Sequence, residues 1–309
     1  MSLYLALILL AVGILLLYLG GEGFVRGGIT LASHYRVQEY VVGATLIALG
    51  TSLPEAVTSF YAALRGATDI SVANVVGSNM ANVALILGTV ALLSPVVVIE
   101  RDVFSQDSPS FLMSAGLAYI LGMDGQFSRL DGLLLLVLIV AYVWFIVRDP
   151  SAVASEARPL GRLATGWLMI LVSPLILALG SKLTVDSAVF LAEQMGISQW
   201  IIGVSMIAVG TSLPEISTSI VAVMRGEQAI AVGNLLGSNI FNIYFILGGA
   251  SLIRPIPVGP GTRGFDLPVL FIFHLVVLFM LYDRRLDRDS GITLILGYAA
   301  FMIGVLTFH

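Results

Sequence analysis

The chain has 309 residues, 58% hydrophobic and 11% charged, with 15 Lys+Arg against 19 Asp+Glu for a formal net charge of −4. A soluble chain carries about 25% charged residues, so this one has too few polar groups to face water and its solvent is chiefly lipid. Cysteine is absent, which excludes disulfides and thiol chemistry, and no basic run offers a surface to nucleic acid.

Apolar runs of about 20 residues, the length that crosses a bilayer as a helix, predict ten spans. They lie near residues 2–32, 38–65, 70–94, 108–122, 130–148, 161–193, 198–225, 230–254, 266–283 and 290–308. The runs are continuous rather than alternating, which favours helices over the strands of a β-barrel. The first, "MSLYLALILLAVGILLLYLGG", has no basic leader and no evident cleavage site, and reads as a retained helix rather than a signal peptide.

The second span contains "ALGTSLPEAVTS" from Ala48 and the seventh contains "AVGTSLPEISTS" from Ala208. At an offset of 160, the separation of Glu55 from Glu215, Gly43–Gly88 aligns with Gly203–Gly248 without a gap and with about half the positions identical. A weaker register pairs Gly20 with Gly180 and Ala32 with Ala192. The chain is thus expected to be two homologous halves, 1–150 and 161–309, joined by a cytoplasmic linker at 151–160. Five spans per half is an odd number, so the second half enters the membrane upside down relative to the first. The expected fold class is an all-α polytopic membrane protein of ten helices in two inverted repeats. Loops with Arg26, Arg36, Arg101, Arg148 and Arg225 outnumber in Lys/Arg the opposite set with Arg65, Arg129 and Lys182. The positive-inside rule then places both termini outside the cell.

Why each half plants a carboxylate in a greasy span is the central question. Ser52–Glu55 and Ser212–Glu215 match the Ser-x-x-Glu capping box, with Pro54 or Pro214 in the first turn of a new helix. Capping alone is a poor account, because an ionised carboxylate at mid-bilayer costs at least about 2.5 kcal/mol and the chain carries two at matching positions. The alternative uses every residue. Gly50 and Pro54 interrupt the helical ladder and are expected to release carbonyls near Ala48 and Leu49, which is tolerated at membrane depth where the backbone lines a cavity. Thr51, Ser52 and Glu55 add hydroxyl and carboxylate oxygens; Ala208, Val209, Thr211, Ser212 and Glu215 repeat the set. Such hard oxygens suit Ca²⁺, Na⁺ or Mg²⁺ and are poor for soft metals.

"ANVVGSNMANVALILG" puts Asn74, Ser78 and Asn82 on one helix face, mirrored by Asn234, Ser238 and Asn242. The Gly-Ser pairs also permit close helix packing, a role compatible with ligation by the Asn82 and Asn242 amides. Two carboxylates meeting in a low-dielectric core repel one another, and one Ca²⁺ or several Na⁺ would neutralise them. An empty doubly ionised site is costly to occlude, so such a protein changes face only when loaded, which enforces exchange. His34, His274 and His309 show no metal-site spacing: His34 and His309 read as interfacial, and His274 as packing or bonding within the bundle. Trp144, Trp167 and Trp200 read as interfacial anchors.

The duplicated "GTSLPE" and "GSN..N" blocks resemble the α-repeats of the sodium/calcium exchanger family. The likeness spans the whole membrane unit and is nearest the compact prokaryotic type, since no large insert separates the halves. It implies a cell-membrane antiporter in which sodium entry drives calcium export by alternating access, with Na⁺ and Ca²⁺ as cargo, no cofactor, no enzymatic activity, the bilayer as its surroundings and a monomer as the expected unit. Glu55 and Glu215 match the family's central acidic ligands. Thr51, Ser52, Ser78, Thr211, Ser212 and Ser238 match its oxygen-bearing positions, Ala48 and Ala208 its carbonyl donors, and Asn82 and Asn242 the polar pair beside the centre. The first helix of each half corresponds to a sliding gate. Some relatives carry Asp where Asn242 stands, so the amide here implies potassium-independent exchange. The rival readings are a potassium-dependent exchanger and a proton/calcium antiporter on the same fold, the latter lacking "GTSLPE" in favour of a different acidic signature.

Overall fold

The structure, a computed structural model, describes residues 2–93, 97–98, 101–148, 161–195, 208–282 and 285–308. The expected linker at 151–160, Trp200, His309 and the first part of the span at 198–225 lie outside the described residues. Among the described residues, seven helices are long and apolar enough to cross a bilayer, or eight if the bent pair Glu39–Thr51 and Leu53–Arg65 counts as one span.

Helices α1 (Leu3–Tyr35) and α9 (Leu163–Gln194) have 33 and 32 residues. At about 1.5 Å per residue each is close to 50 Å long, well beyond the ~30 Å hydrocarbon layer, so each tilts or projects past the membrane surface. Ser2 caps α1 by accepting the Leu5 amide, and Arg36 ends it in the left-handed conformation at φ 55°. The two long helices pack along each other through small residues. A Cβ added at Gly13 would sit 2.8 Å from the Thr184 backbone nitrogen, and one at Gly180 2.8 Å from that of Leu17. Among the described residues, polar bonds tie this pair to the rest at three places: Ser217 Oγ donates to the Leu17 carbonyl at 2.5 Å, Ser181 Oγ donates to the Gly210 carbonyl at 2.6 Å, and Arg225 forms an ion pair with Glu22.

The interior is built from two matching sets. The first runs α2 (Glu39–Val42), a π-helical stretch Gly43–Ile47, α3 (Ala48–Thr51), α4 (Leu53–Arg65), α5 (Thr68–Met80), a π stretch Ala81–Ile86 and α6 (Leu87–Leu93). The second runs α10 (Ala208–Thr211), α11 (Leu213–Met224), α12 (Gln228–Phe241), a π stretch Asn242–Leu247 and α13 (Gly248–Ile253). The most apolar parts of Thr68–Leu93 and Gln228–Ile253 are 78% and 94% buried, against 22% for α1. These two spans therefore form the centre, and α1 with α9 forms a lipid-facing flank.

The outer spans are α7 (Arg101–Gly122), α8 (Arg129–Arg148), α14 (Leu267–Tyr282, entered through a π stretch Thr262–Asp266) and α15 (Arg288–Phe308). Two short antiparallel ladders join the halves: β1 (Val97–Val98) with β4 (Arg285–Leu286), and β2 (Gln126–Phe127) with β3 (Ile256–Pro257). The sequence reading begins α7 at residue 108, where the polar residues stop; the helix starts earlier, at Arg101, with Pro109 inside it. The polarity of its first two turns is partly internal, because Asp107 is buried and accepts a hydrogen bond from Tyr142 at 3.3 Å. His274 is buried, bonds the Leu270 carbonyl one turn back and stacks on Phe111 with ring centroids 4.1 Å apart, the packing role expected for it.

Candidate cation site

Pro54 and Pro214 have no N–H, so the carbonyls of Gly50 and Gly210 lack their ordinary helical donors. The chain bends by 45° between the two pieces of the first broken span. Ser52 (φ −82°, ψ 6°) and Ser212 (φ −84°, ψ 4°) leave helical geometry in the same way, so the repeat is a repeat of backbone shape as well as of letters. The capping box does not form. Neither serine makes a side-chain cap bond, and Ser52 Oγ instead donates to Glu215 Oε1 at 3.0 Å, across to the other half.

The expected release of the Ala48 carbonyl is corrected. That oxygen keeps its helical donor, the Ser52 amide at 3.1 Å, and lies 3.2 Å from the Thr51 hydroxyl. The carbonyl that proline strips of its donor is the one four residues before it, Gly50 or Gly210, and at Gly210 the Ser181 hydroxyl takes the vacant place.

Two crossed networks surround the carboxylates. Thr51 Oγ1 donates to Asn234 Oδ1 at 3.1 Å and lies 3.4 Å from Ser238 Oγ. In the mirror position Thr211 Oγ1 donates to Asn74 Oδ1 at 3.4 Å and lies 3.5 Å from Ser78 Oγ. Each amide is anchored through its nitrogen, Asn74 to Ser59 Oγ at 2.9 Å and the Glu55 carbonyl at 3.2 Å, Asn234 to Ser219 Oγ at 3.1 Å. The threonine of each break is thereby held by the GSN-bearing helix of the opposite half. Asn74 and Asn234 share the ligand face in the sequence, and the structure makes them the struts that fix the threonines.

Glu55 and Glu215 are both wholly buried and close enough for direct electrostatic repulsion. The Glu55 carboxyl faces the Ser78 and Thr211 hydroxyls, and the Glu215 carboxyl faces those of Ser52 and Thr51. Neither Glu55 oxygen has a hydrogen-bond partner among the described residues, and Glu215 Oε2, Ser212 Oγ and Asn242 Oδ1 are likewise unpaired. Buried polar atoms are almost always satisfied, so a concentration of orphan oxygens around two carboxylates fits a ligand that takes up oxygen lone pairs, as a hard cation does. Asn82 and Asn242 each stand in a π stretch, Ala81–Ile86 and Asn242–Leu247, and π turns recur at functional sites. Among the described residues no third His, Cys, Asp or Glu joins this pair. The formal charge of the cage is then −2, with neutral oxygens filling the rest of a hard-ion shell.

The structure brings Thr51, Ser52, Glu55, Ser78, Thr211, Glu215 and Ser238 into one neighbourhood and leaves Ser212, Asn82 and the Asn242 oxygen buried without partners. Sequence reasoning missed Ser59, Ser219 and Ser181 as supports. Ser59 and Ser219 lie four residues after each glutamate, one turn along the same helix face, and that spacing is a readable signal.

A family model described as sodium/calcium exchanger protein matches residues 5–148 and 165–307. The sodium/calcium exchanger MaX1 of Methanosarcina acetivorans is 32% identical over 340 residues, covering 96% of this chain and 97% of its own. The inner membrane protein YrbG of Escherichia coli K12 is 34% identical over 304 residues, covering 94% and 93%. The solved structure of the sodium-calcium exchanger NCX_Mj soaked with zero Na⁺ and Ca²⁺ superposes with a TM-score of 0.86 at 31% identity, over 100% of both chains.

Proposed function

Because the chain belongs to the sodium/calcium exchanger family, a family of membrane transporters rather than enzymes, we propose that it exchanges Na⁺ for Ca²⁺ across the cell membrane by alternating access, without K⁺. The observation that carries the reading is the pair of fully buried carboxylates, one from each half, among buried hydroxyl and amide oxygens of which Ser212 Oγ, Asn82 Oδ1 and Asn242 Oδ1 have no partner among the described residues. Glu55 and Glu215 hold the cargo cations, with the oxygens of Thr51, Thr211, Ser52, Ser212, Ser78, Ser238, Asn82 and Asn242 and the Ala208 carbonyl as neighbouring ligands. Either load cancels the charge that would otherwise oppose closure, so the loaded forms change face and the empty form does not. The remaining features of the reading are ten spans in two inverted repeats, 1–150 and 161–309, a cytoplasmic linker at 151–160, and both termini outside.

The lipid-facing position of α1 and α9, whose most apolar parts are 22% and 33% buried, supports their role as the sliding element. The uncharged amide at Asn242 supports K⁺ independence, since it gives the cage one negative charge fewer than an aspartate would.

The deciding experiment is Ca²⁺ flux in proteoliposomes under separately imposed Na⁺, K⁺ and H⁺ gradients. Na⁺ alone is expected to drive Ca²⁺ uptake or release, with no added effect of K⁺. Ca²⁺ flux indifferent to Na⁺ and driven by H⁺ would replace this reading with the proton-coupled one. Protons compete with cations for the Glu55 and Glu215 oxygens, so exchange is expected to slow on acidification.

A further inference from the structure

Each GSN run holds a second asparagine outside the ligand set, Asn79 in the first half and Asn239 in the second. Both are sealed from solvent, at 0% and 1% exposure. Their bonds differ. Asn79 Oδ1 accepts a hydrogen bond from Asn242 Nδ2 at 3.1 Å, across the boundary between the halves. Asn239 Nδ2 turns back on its own helix and bonds the Leu235 carbonyl at 2.7 Å. Asn82, the counterpart of Asn242, has neither amide atom bonded.

A carboxamide holds one oxygen and one NH₂ in a single plane, on opposite sides of the Cβ–Cγ axis. Engaging the Asn242 nitrogen with Asn79 therefore sets which way its oxygen points, and that oxygen is buried and unpaired. The reverse orientation would aim N–H donors at the space where a cation must sit. Asn242 begins a π stretch, where the backbone turn re-aims the side chain, and the bond from Asn79 completes the aiming. We infer that Asn79 is a positioning residue that holds the Asn242 amide with its oxygen toward the cation, so that one of the two central amides is clamped and the other, Asn82, is free to adjust. The inference rests on the proposed cation exchange. A pre-aimed oxygen loses less side-chain freedom on binding than a free one, so the clamp strengthens binding without touching the ion.

The test uses the full chain, purified and reconstituted, with two readouts: the Na⁺ concentration that half-maximally protects it from thermal unfolding, which needs no turnover, and the KM for Na⁺ in Ca²⁺ flux. Asn79→Leu fills the space without an acceptor, Asn79→Ala empties it, and Asn79→Asp keeps an acceptor of the same shape while exchanging an unpartnered amide nitrogen for a carboxylate oxygen, which adds acceptor capacity and charge. Loss of one buried hydrogen bond predicts that the alanine and leucine variants raise both Na⁺ values about tenfold with the maximal rate nearly unchanged, and that the aspartate variant does not raise them. Asn242→Ala is expected to show a similar rise, and adding Asn79→Leu to it to change nothing further. Asn239→Ala is expected to leave both values at the wild-type level. Multiplying effects in the double variant, or Asn79 variants that lower the unfolding temperature without moving either Na⁺ value, would overturn the inference. A wild-type protein that Na⁺ neither protects nor drives would instead overturn the exchange reading beneath it.

Discussion

The two broken spans share sequence and backbone angles yet differ in what they bond. Ser52 reaches across to Glu215 Oε1, whereas its twin Ser212 has no partner for its hydroxyl. Glu215 is thus held on one oxygen and Glu55 on neither. The Gly210 carbonyl is capped by Ser181 of α9, but the residue 160 earlier on α1 is Gly21, which has no hydroxyl to offer Gly50. Asn242 is clamped and Asn82 is not. Some of these differences are written in the sequence, as at Ser181 against Gly21, and are permanent. Others occur between identical residues, as at Ser52 against Ser212, and in the proposed alternating-access cycle these are expected to depend on conformation. A carrier built from two halves can invert the second kind by exchanging the halves' conformations, and it cannot invert the first.

The comparison breaks most severely at the carboxylates. Glu55→Gln and Glu215→Gln are each expected to lower Na⁺-driven Ca²⁺ flux at least about 100-fold, because removing one member of a buried ionic cluster costs about 3–5 kcal/mol. Near-normal flux in either variant would remove both residues from the cage. Next in size is the serine pair. A hydrogen bond to a charged group is worth about 1.5–3 kcal/mol, so Ser52→Ala is expected to raise the KM for cation about tenfold or more when measured in the conformation described, with Ser212→Ala smaller. Equal effects under all imposed gradients would mean that the two halves interconvert freely during turnover and that the difference is purely conformational.

A permanent asymmetry is probed at α9. Ser181→Ala leaves the Gly210 carbonyl uncapped and is expected to destabilise the protein by about 1 kcal/mol, read as a lower unfolding temperature in detergent. An unchanged unfolding temperature would show that the cap carries no stability. The smallest effect is expected at the Glu22–Arg225 ion pair between α1 and the end of α11. Its side chains are 15% and 33% exposed, and screening holds such pairs to about 1 kcal/mol or less. Glu22→Gln is expected to alter the flux rate by severalfold at most, and less at high salt. A complete loss of flux would make this pair a structural requirement rather than a tether on the long helix.

Much of this was readable from the chain alone. A Glu in each of two apolar spans, with Gly, Thr, Ser and Pro around it, has few uses in lipid, and the offset of 160 identified the two halves before any coordinates. A shared face for Asn74, Ser78 and Asn82 is expected from helical spacing, and two of the three, Asn74 and Ser78, meet Thr211. What the letters concealed was partnership. Ser52 reads equally as a helix cap and as a cross-half donor, because both roles need only a hydroxyl at that position. The carbonyl released by Pro54 was misplaced at Ala48, since the ordinary ladder continues one residue further than the glycine suggests. The π stretches left no signal, because a π turn adds one residue to a helical turn without changing residue type.

The sequence by itself determined the solvent, the duplication, the broken spans and the two buried charges, since each follows from composition and spacing along one chain. Only the tertiary structure decided which half holds which residue. Thr51 to Asn234, Ser52 to Glu215 and Asn242 to Asn79 are bonds between segments more than 160 residues apart. Their geometry is set by how two packed helical units meet, and a pattern internal to either unit carries no information about that meeting.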